Sequence, residues 1–174
     1  MLRNLISLED ISLLARPCTA DRDIADAFIA EAQRADIRSK LGDAIYLRMF
    51  ASDRSANEDL LLEGGEWQGP NGPRILTGLK TTLAYYALAR ITRDGSIQAS
   101  RYGAVVKDSD YSAEAENQER NRQYREIFSQ ADAYMAECLA FVNCHRKDFP
   151  DNPCSQCAQT VTSNRMRIKI IRKR

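Results

Sequence analysis

Ser7 stands directly before Leu8-Glu9-Asp10-Ile11. Its hydroxyl can accept an orphan amide and the two acids face the positive end of a helix, so a short helix to about Ala15 is predicted. Arg16-Pro17-Cys18-Thr19 breaks that pattern. From a Thr19 cap, Ile24, Ala27, Phe28, Glu31, Ala32 and Ala35 recur at three- and four-residue spacings, which predicts a second helix lasting until Gly42. Ala44 to Phe50 form a third apolar segment, read as helical. The stretch Leu60-Leu61-Leu62-Glu63-Gly64-Gly65-Glu66-Trp67-Gln68 then enters Gly69-Pro70-Asn71-Gly72-Pro73, where glycines and prolines demand a turn. A small β-ribbon or protruding loop is expected over 60–76.

Ile75 to Thr92 returns to the helical period through Leu76, Leu79, Leu83, Tyr86 and Arg90, and Ala84, Ala87 and Ala89 permit close approach of a neighbour. This segment is expected to be the central buried helix. Arg93-Asp94-Gly95-Ser96 stops it, and Ser100 to Lys107 is read as an irregular connector. Ser112 opens the longest element, which runs to about Asn143 without Gly or Pro. Ala113 to Gln123 is almost wholly polar, whereas Tyr124, Phe128, Ala131, Met135, Leu139 and Val142 mark an apolar stripe. Only the second half is expected to meet the core, leaving the first to project by roughly 15 Å at about 1.5 Å per residue.

Beyond Phe149-Pro150-Asp151-Asn152-Pro153, the run Arg165-Met166-Arg167-Ile168-Lys169-Ile170 alternates basic with apolar, the period-two signature of a strand with one buried face. A lone strand needs a partner, either the ribbon near Trp67 in its own subunit or an edge on a neighbouring chain. The expected fold is therefore mainly α: a helical bundle with one long C-terminal helix, a small β-ribbon in the middle and a C-terminal β-strand over 164–171. Residues 1–151 form the helical domain and 152–174 a tail.

Composition sharpens this division. The chain has 174 residues, 44% of them apolar, which suits one domain and is too short for two full-sized ones. Its 25 basic and 24 acidic residues give a net charge of +1, a balance unlike that of a basic nucleic-acid coat or an acidic disordered chain. The balance conceals a split, because all acids lie at or before Asp151 while Arg165, Arg167, Lys169, Arg172, Lys173 and Arg174 follow it. Residues 1–151 carry −5 and 152–174 carry +6. No window approaches the roughly 20 uncharged apolar residues of a membrane span, and acids at Glu9 and Asp10 interrupt any signal-peptide core. A reducing compartment is expected.

There the five cysteines are read as free thiols or metal ligands rather than disulfides. Cys154-Ser155-Gln156-Cys157 has the spacing for two thiolates to hold one zinc ion, with Cys144 and His145 able to complete a tetrahedral shell; two loop thiols without metal is the plainer alternative. His145 is the single histidine, so one subunit cannot build a multi-histidine centre. Cys144 beside His145 also admits a thiol nucleophile, although such pairs are ordinarily brought together by folding rather than by adjacency. Cys138, on the apolar stripe, is read as core, as are Tyr85 and Tyr86. The glycines match neither a phosphate-binding loop nor a dinucleotide fingerprint. The basic tail could contact phosphates, but its alternation favours an edge strand. Trp67, the only tryptophan, is either an interface anchor on the ribbon or a cap on the core.

The early helices ending near Phe50, the loop Glu63-Gly64-Gly65-Glu66-Trp67, the central segment Thr77 to Arg90, and Arg101-Tyr102-Gly103-Ala104-Val105-Val106-Lys107 before a long helix together form a pattern. Over roughly residues 5–150 it resembles the head-to-tail connector (adaptor) proteins of tailed bacteriophages, of the type found in phages of Bacteroidetes. The resemblance implies a non-enzymatic structural virion protein without a cofactor. Such a protein assembles as a ring, typically of twelve copies, beneath the portal at the head-tail junction, after a period in the host cytoplasm. Implied partners are its own copies, the portal protein, tail or neck proteins, and DNA that passes through the channel without sequence-specific binding; no membrane is implied. An acidic body suits a channel in which DNA slides. Trp67, Arg165, Arg167, Lys169 and Arg172 are the expected interface residues. The rival expectation is a zinc-stabilised nucleic-acid-binding module that uses Cys154, Cys157 and the basic tail.

Overall fold

A computed structural model describes residues 3–70, 72–94, 97–100, 103–106 and 117–149, with backbone alone at 97–100, 103–106 and Asn117. The architecture is mainly helical with small antiparallel ribbons. Helix α1 (Leu8–Leu14) begins as its cap dictates: Ser7 Oγ accepts from Asp10 N at 3.3 Å, and Asp10 Oδ2 accepts from Ser7 N at 2.8 Å. Helix α2 (Arg22–Ala32) starts after Asp21, so Thr19 is not its cap. It continues through a π-helical segment, Gln33–Arg38, into a closing α-turn, α3 (Ser39–Leu41).

The inward face of α2 also differs from expectation. Ala25, Ile29, Ala32, Ile37 and Leu41 are buried, whereas Ile24 and Phe28 are half-buried and Ala27, Glu31 and Ala35 are exposed. Two polar residues, Gln33 and Asp36, occupy inward positions, and the π segment shifts the phase of the helix where they lie.

Helix α4 (Asp43–Arg48) follows Gly42, and α5 (Ala56–Glu63) starts from a second reciprocal cap between Ser55 and Glu58. Leu60 to Glu63 therefore belong to a helix that apolar spacing alone did not reveal. The ribbon is confined to β1 (Gly65–Gly69) and β2 (Gly72–Leu76), paired antiparallel with Trp67 opposite Arg74 and Glu66 opposite Ile75. Because Ile75 and Leu76 complete β2, α6 starts at Leu79 and runs to Asp94. A second hairpin, β3 (Ile97–Ser100) with β4 (Gly103–Val106), replaces part of the expected irregular connector. Helix α7 is described from Asn117 to Cys144. The expected start at Ser112, the tail 152–174 and the strand 164–171 lie outside the described residues.

Helix α6 is the centre of the body, touching α1, α2, α5 and α7. Leu79, Leu83, Tyr86 and Ala87 are buried, and Ala84 and Ala89 leave no side-chain bulk between the helices. Ile127, Ala131, Met135, Cys138 and Val142 form the complementary stripe of α7. Each fully buried Leu or Met side chain contributes about 1.5–3 kcal/mol of transfer free energy.

Two glycines lock the ribbon to the bundle. Gly64 (φ +85°) ends α5 and Gly78 (φ +86°) precedes α6. A Cβ on Gly64 would lie 2.6 Å from the Leu76 carbonyl oxygen, and one on Gly78 would lie 2.5 Å from Gly64 N. Both the left-handed backbone and the contact distance exclude a side chain. Nearby, Arg48 binds Glu58 through two bonds, Nε to Oε1 at 2.7 Å and Nη2 to Oε2 at 2.9 Å, tying α4 to α5. The Arg48 bonds lower the Glu58 carboxyl from the usual 4.5 to about 2.

Gly78→Ala is expected to lower stability in urea denaturation by about 2–3 kcal/mol, more than Gly72→Ala, since Gly72 shares the positive φ but faces open space. Glu58 gains its stabilisation when ionised, so this contribution is full above about pH 4.5 and lost as pH falls towards 2. Glu58→Gln should remove about 2 kcal/mol at neutral pH and flatten the acid limb of a pH-stability curve.

Candidate functional site

The side chains that organise the surface lie on α6, α7 and the π segment. Arg90, near the end of α6, places Nη1 2.7 Å from Asp36 Oδ2, with both side chains only 10% exposed, and Nε donates to Glu31 Oε1 at 3.2 Å. Burial raises the Asp36 carboxyl above its ordinary range, and the Arg90 charge opposes the rise. One turn earlier, Tyr86 Oη donates to Asp132 Oδ1 at 2.6 Å and accepts from Lys40 Nζ at 2.6 Å. Lys40 also pairs with Asp132. Burial, followed by the bond to Asp132, raises the Tyr86 hydroxyl; burial disfavours ionised Asp132, but the Lys40 and Tyr86 bonds outweigh it and hold that carboxyl low. Gln33 completes the buried polar set: its Oε1 accepts from Leu5 N at 2.6 Å and its Nε2 donates to Tyr46 Oη at 3.3 Å. These bonds fix α2, α6 and α7 relative to one another.

Two surfaces are presented by that rigid body. The first is the opening of α7, where Gln118, Asn121, Arg122 and Arg125 line a shallow cleft of about 290 Å³. Glu119 supports these turns by accepting from Arg122 at 2.7 and 2.9 Å and from Gln123 at 3.1 Å, so the helix persists where it buries little. At Tyr124 it meets the body, under the Arg93 guanidinium 4.4 Å from the ring centroid. The second is a groove of about 280 Å³ between β2 and α7, walled by Arg74, Ile75, Ala133, Ala136 and Glu137. Ile75 is 77% exposed there.

Trp67 serves as the core cap. Strand alternation turns it inward, where it is 7% exposed and meets Phe141 edge-on at 5.1 Å. The exposed apolar residue of the ribbon is Ile75, the neighbour that faces the other way. Cys138 lies in the core beside Thr82, and burial pushes its thiol up to about 12. His145 packs on Phe141 and Trp67 at 4.3 and 5.4 Å, with Nδ1 3.0 Å from the Phe141 carbonyl oxygen. A carbonyl only accepts, so Nδ1 carries a proton. Cys144 is exposed. Among the described residues no three His, Cys, Asp or Glu side chains converge to hold a metal ion; Cys154 and Cys157 lie outside them, as do Arg165, Arg167, Lys169 and Arg172. No described helix is long and apolar enough to cross a membrane. The polar role of Tyr86 was not legible from its apolar helix, because its partners Lys40 and Asp132 stand at the margins of other helices, many residues away in the chain.

A model of the family of unknown function DUF6712 matches residues 37–162. No curated protein and no solved structure matches the chain.

Arg90→Ala leaves Asp36 buried without its cation, and a loss of about 3–5 kcal/mol is expected in chemical denaturation. Arg90→Leu combined with Asp36→Leu should recover much of that loss, because the penalty comes from the orphaned charge.

Proposed function

We propose that this chain, which belongs to the family of unknown function DUF6712, is a structural virion subunit, a head-to-tail connector that forms a ring beneath the portal. The ring extends the DNA channel and receives the tail. The observation that carries this reading is the opening of α7: its first described turns are polar, are held in part by Glu119, and present Gln118, Asn121, Arg122 and Arg125 on a shallow cleft. A polar helical segment of this kind suits a wet contact between subunits. The rest of the body supports the same reading, because the buried ion pair and tyrosine bonds hold its helices as one unit on which such a contact can be positioned.

A closed ring needs heterologous contacts, in which one surface of a subunit meets a different surface of the next. The α7 cleft is one half of such a contact. The resemblance described above implies about twelve copies, with the portal on one side and tail or neck proteins on the other. The net −5 of residues 1–151 favours passage of DNA over retention of it.

Electron microscopy and protein mass spectrometry of the mature tailed particles encoded with this chain test the proposal. A ring at the head-tail junction that contains the chain is the expected result; mature particles lacking the chain contradict it. Arg125→Glu, on the exposed face of α7, is expected to weaken subunit association by about 10-fold or more, equivalent to about 1.4 kcal/mol, with unchanged helicity by circular dichroism.

A further inference from the structure

We infer that Arg165–Ile170 seats in the groove between β2 and α7 of its own chain, with Met166, Ile168 and Ile170 turned onto Ile75, Ala133 and Ala136. This inference does not depend on the ring.

The groove has the features of an incomplete packing surface. Ile75 is 77% exposed, and Ala133 and Ala136 on the facing helix are also exposed, so the groove has a low apolar floor between the charged side chains of Arg74 and Glu137. Among the described residues β2 pairs with β1 alone, which leaves its other edge to offer main-chain groups to an added strand. The opposite wall carries a charge, Glu137, whose Oε2 accepts from Thr77 Oγ1 at 2.7 Å. Glu66 lies directly across the ribbon from Ile75 and shares its face.

The segment matches in chemistry. Arg165, Arg167 and Lys169 alternate with Met166, Ile168 and Ile170, so an extended conformation puts three apolar side chains on one face and three cations on the other. The apolar face covers Ile75 and the alanines, while the cations are left to water and to the acidic body of the chain. The charge division of the whole chain, −5 up to Asp151 and +6 after it, favours the same approach.

Position favours the segment of the same chain. Phe149 is buried with its ring 6.3 Å from Phe141, and Phe141 in turn lies 5.1 Å from Trp67 beside the groove. The chain therefore leaves the described residues close to the proposed seat. Fifteen residues separate Phe149 from Arg165, enough to reach about 50 Å when extended. A tether of that length keeps the local concentration of the segment in roughly the millimolar range, so even weak strand addition is populated without a second copy.

Hydrogen exchange on the full chain tests this, in comparison with a full-length variant carrying Met166→Asn, Ile168→Asn and Ile170→Asn. Amides of β2 are expected to exchange at least about 10-fold more slowly in the natural chain; equal rates overturn the inference. Ile75→p-benzoylphenylalanine, photolysed at low protein concentration, identifies the donor of the segment. A cross-link from position 75 to residues 165–170 in a species of monomer mass is the expected product. Cross-links to that segment only in species of dimer mass assign the seat to a second copy and overturn the same-chain inference.

Discussion

A full positive charge on Arg90 is carried into the contact between α6 and α2, and the body is built so that this charge is met. Desolvating a guanidinium is costly, and the cost is offset only where acceptors stand in fixed positions. Asp36 supplies one at 2.7 Å and Glu31 another at 3.2 Å. Asp36 stands two turns after Ile29, on the same buried face, and lies within the π segment Gln33–Arg38. The same segment brings Gln33 under Leu5 and Tyr46 and leads into Lys40, which reaches Tyr86 and Asp132. Apolar burial makes α6 and α7 associate; the polar bonds decide at what rotation and register they do so.

That division of labour explains what could be read from the residues alone. Ser7 and the acids after it announce α1 because a cap is a local device, and Ser55 with Glu58 marks the start of α5 by the same rule. The inward face of α6 was legible because only Thr82 and Arg90 interrupt its apolar period. The face of α2 was not, since Gln33 and Asp36 count as polar in any periodicity and the π segment displaces everything after them. Ile75 and Leu76 fit a helix as well as a strand. What removes them from α6 is the paired approach of Gly64 and Gly78, a contact between segments that no local pattern carries. Of the candidate site, the polar opening of α7 was visible in composition, whereas the groove was not, because it depends on the ribbon presenting Ile75 outward and Trp67 inward.

The two surfaces have different characters for the same reason. Near Tyr124 the Arg93 guanidinium of α6 covers the tyrosine ring of α7, and the bonds from Arg122 and Gln123 to Glu119 help to sustain the turns before it. Along the cleft they are polar, as the rim of a contact between separately folded subunits tends to be. The groove beside β2 is apolar and narrow and borders the place where the chain leaves Phe149, which suits an intramolecular strand. On the proposed reading the first surface is reserved for neighbours and the second is closed by the chain itself, so that it does not attract the wrong partner.

If packing and polar bonds act together as described, α6 and the inward half of α7 open as one cooperative unit, separately from the first turns of α7. Native-state hydrogen exchange resolved to single amides tests it most directly. Amides of Leu83 to Arg90 and of Ala131 to Val142 are expected to exchange together at the slowest rate in the molecule, while those of Gln118 to Gln123 exchange orders of magnitude faster in the isolated subunit. Separate opening of α6 and α7, or protection at Gln118 to Gln123 equal to that of the core, would contradict it.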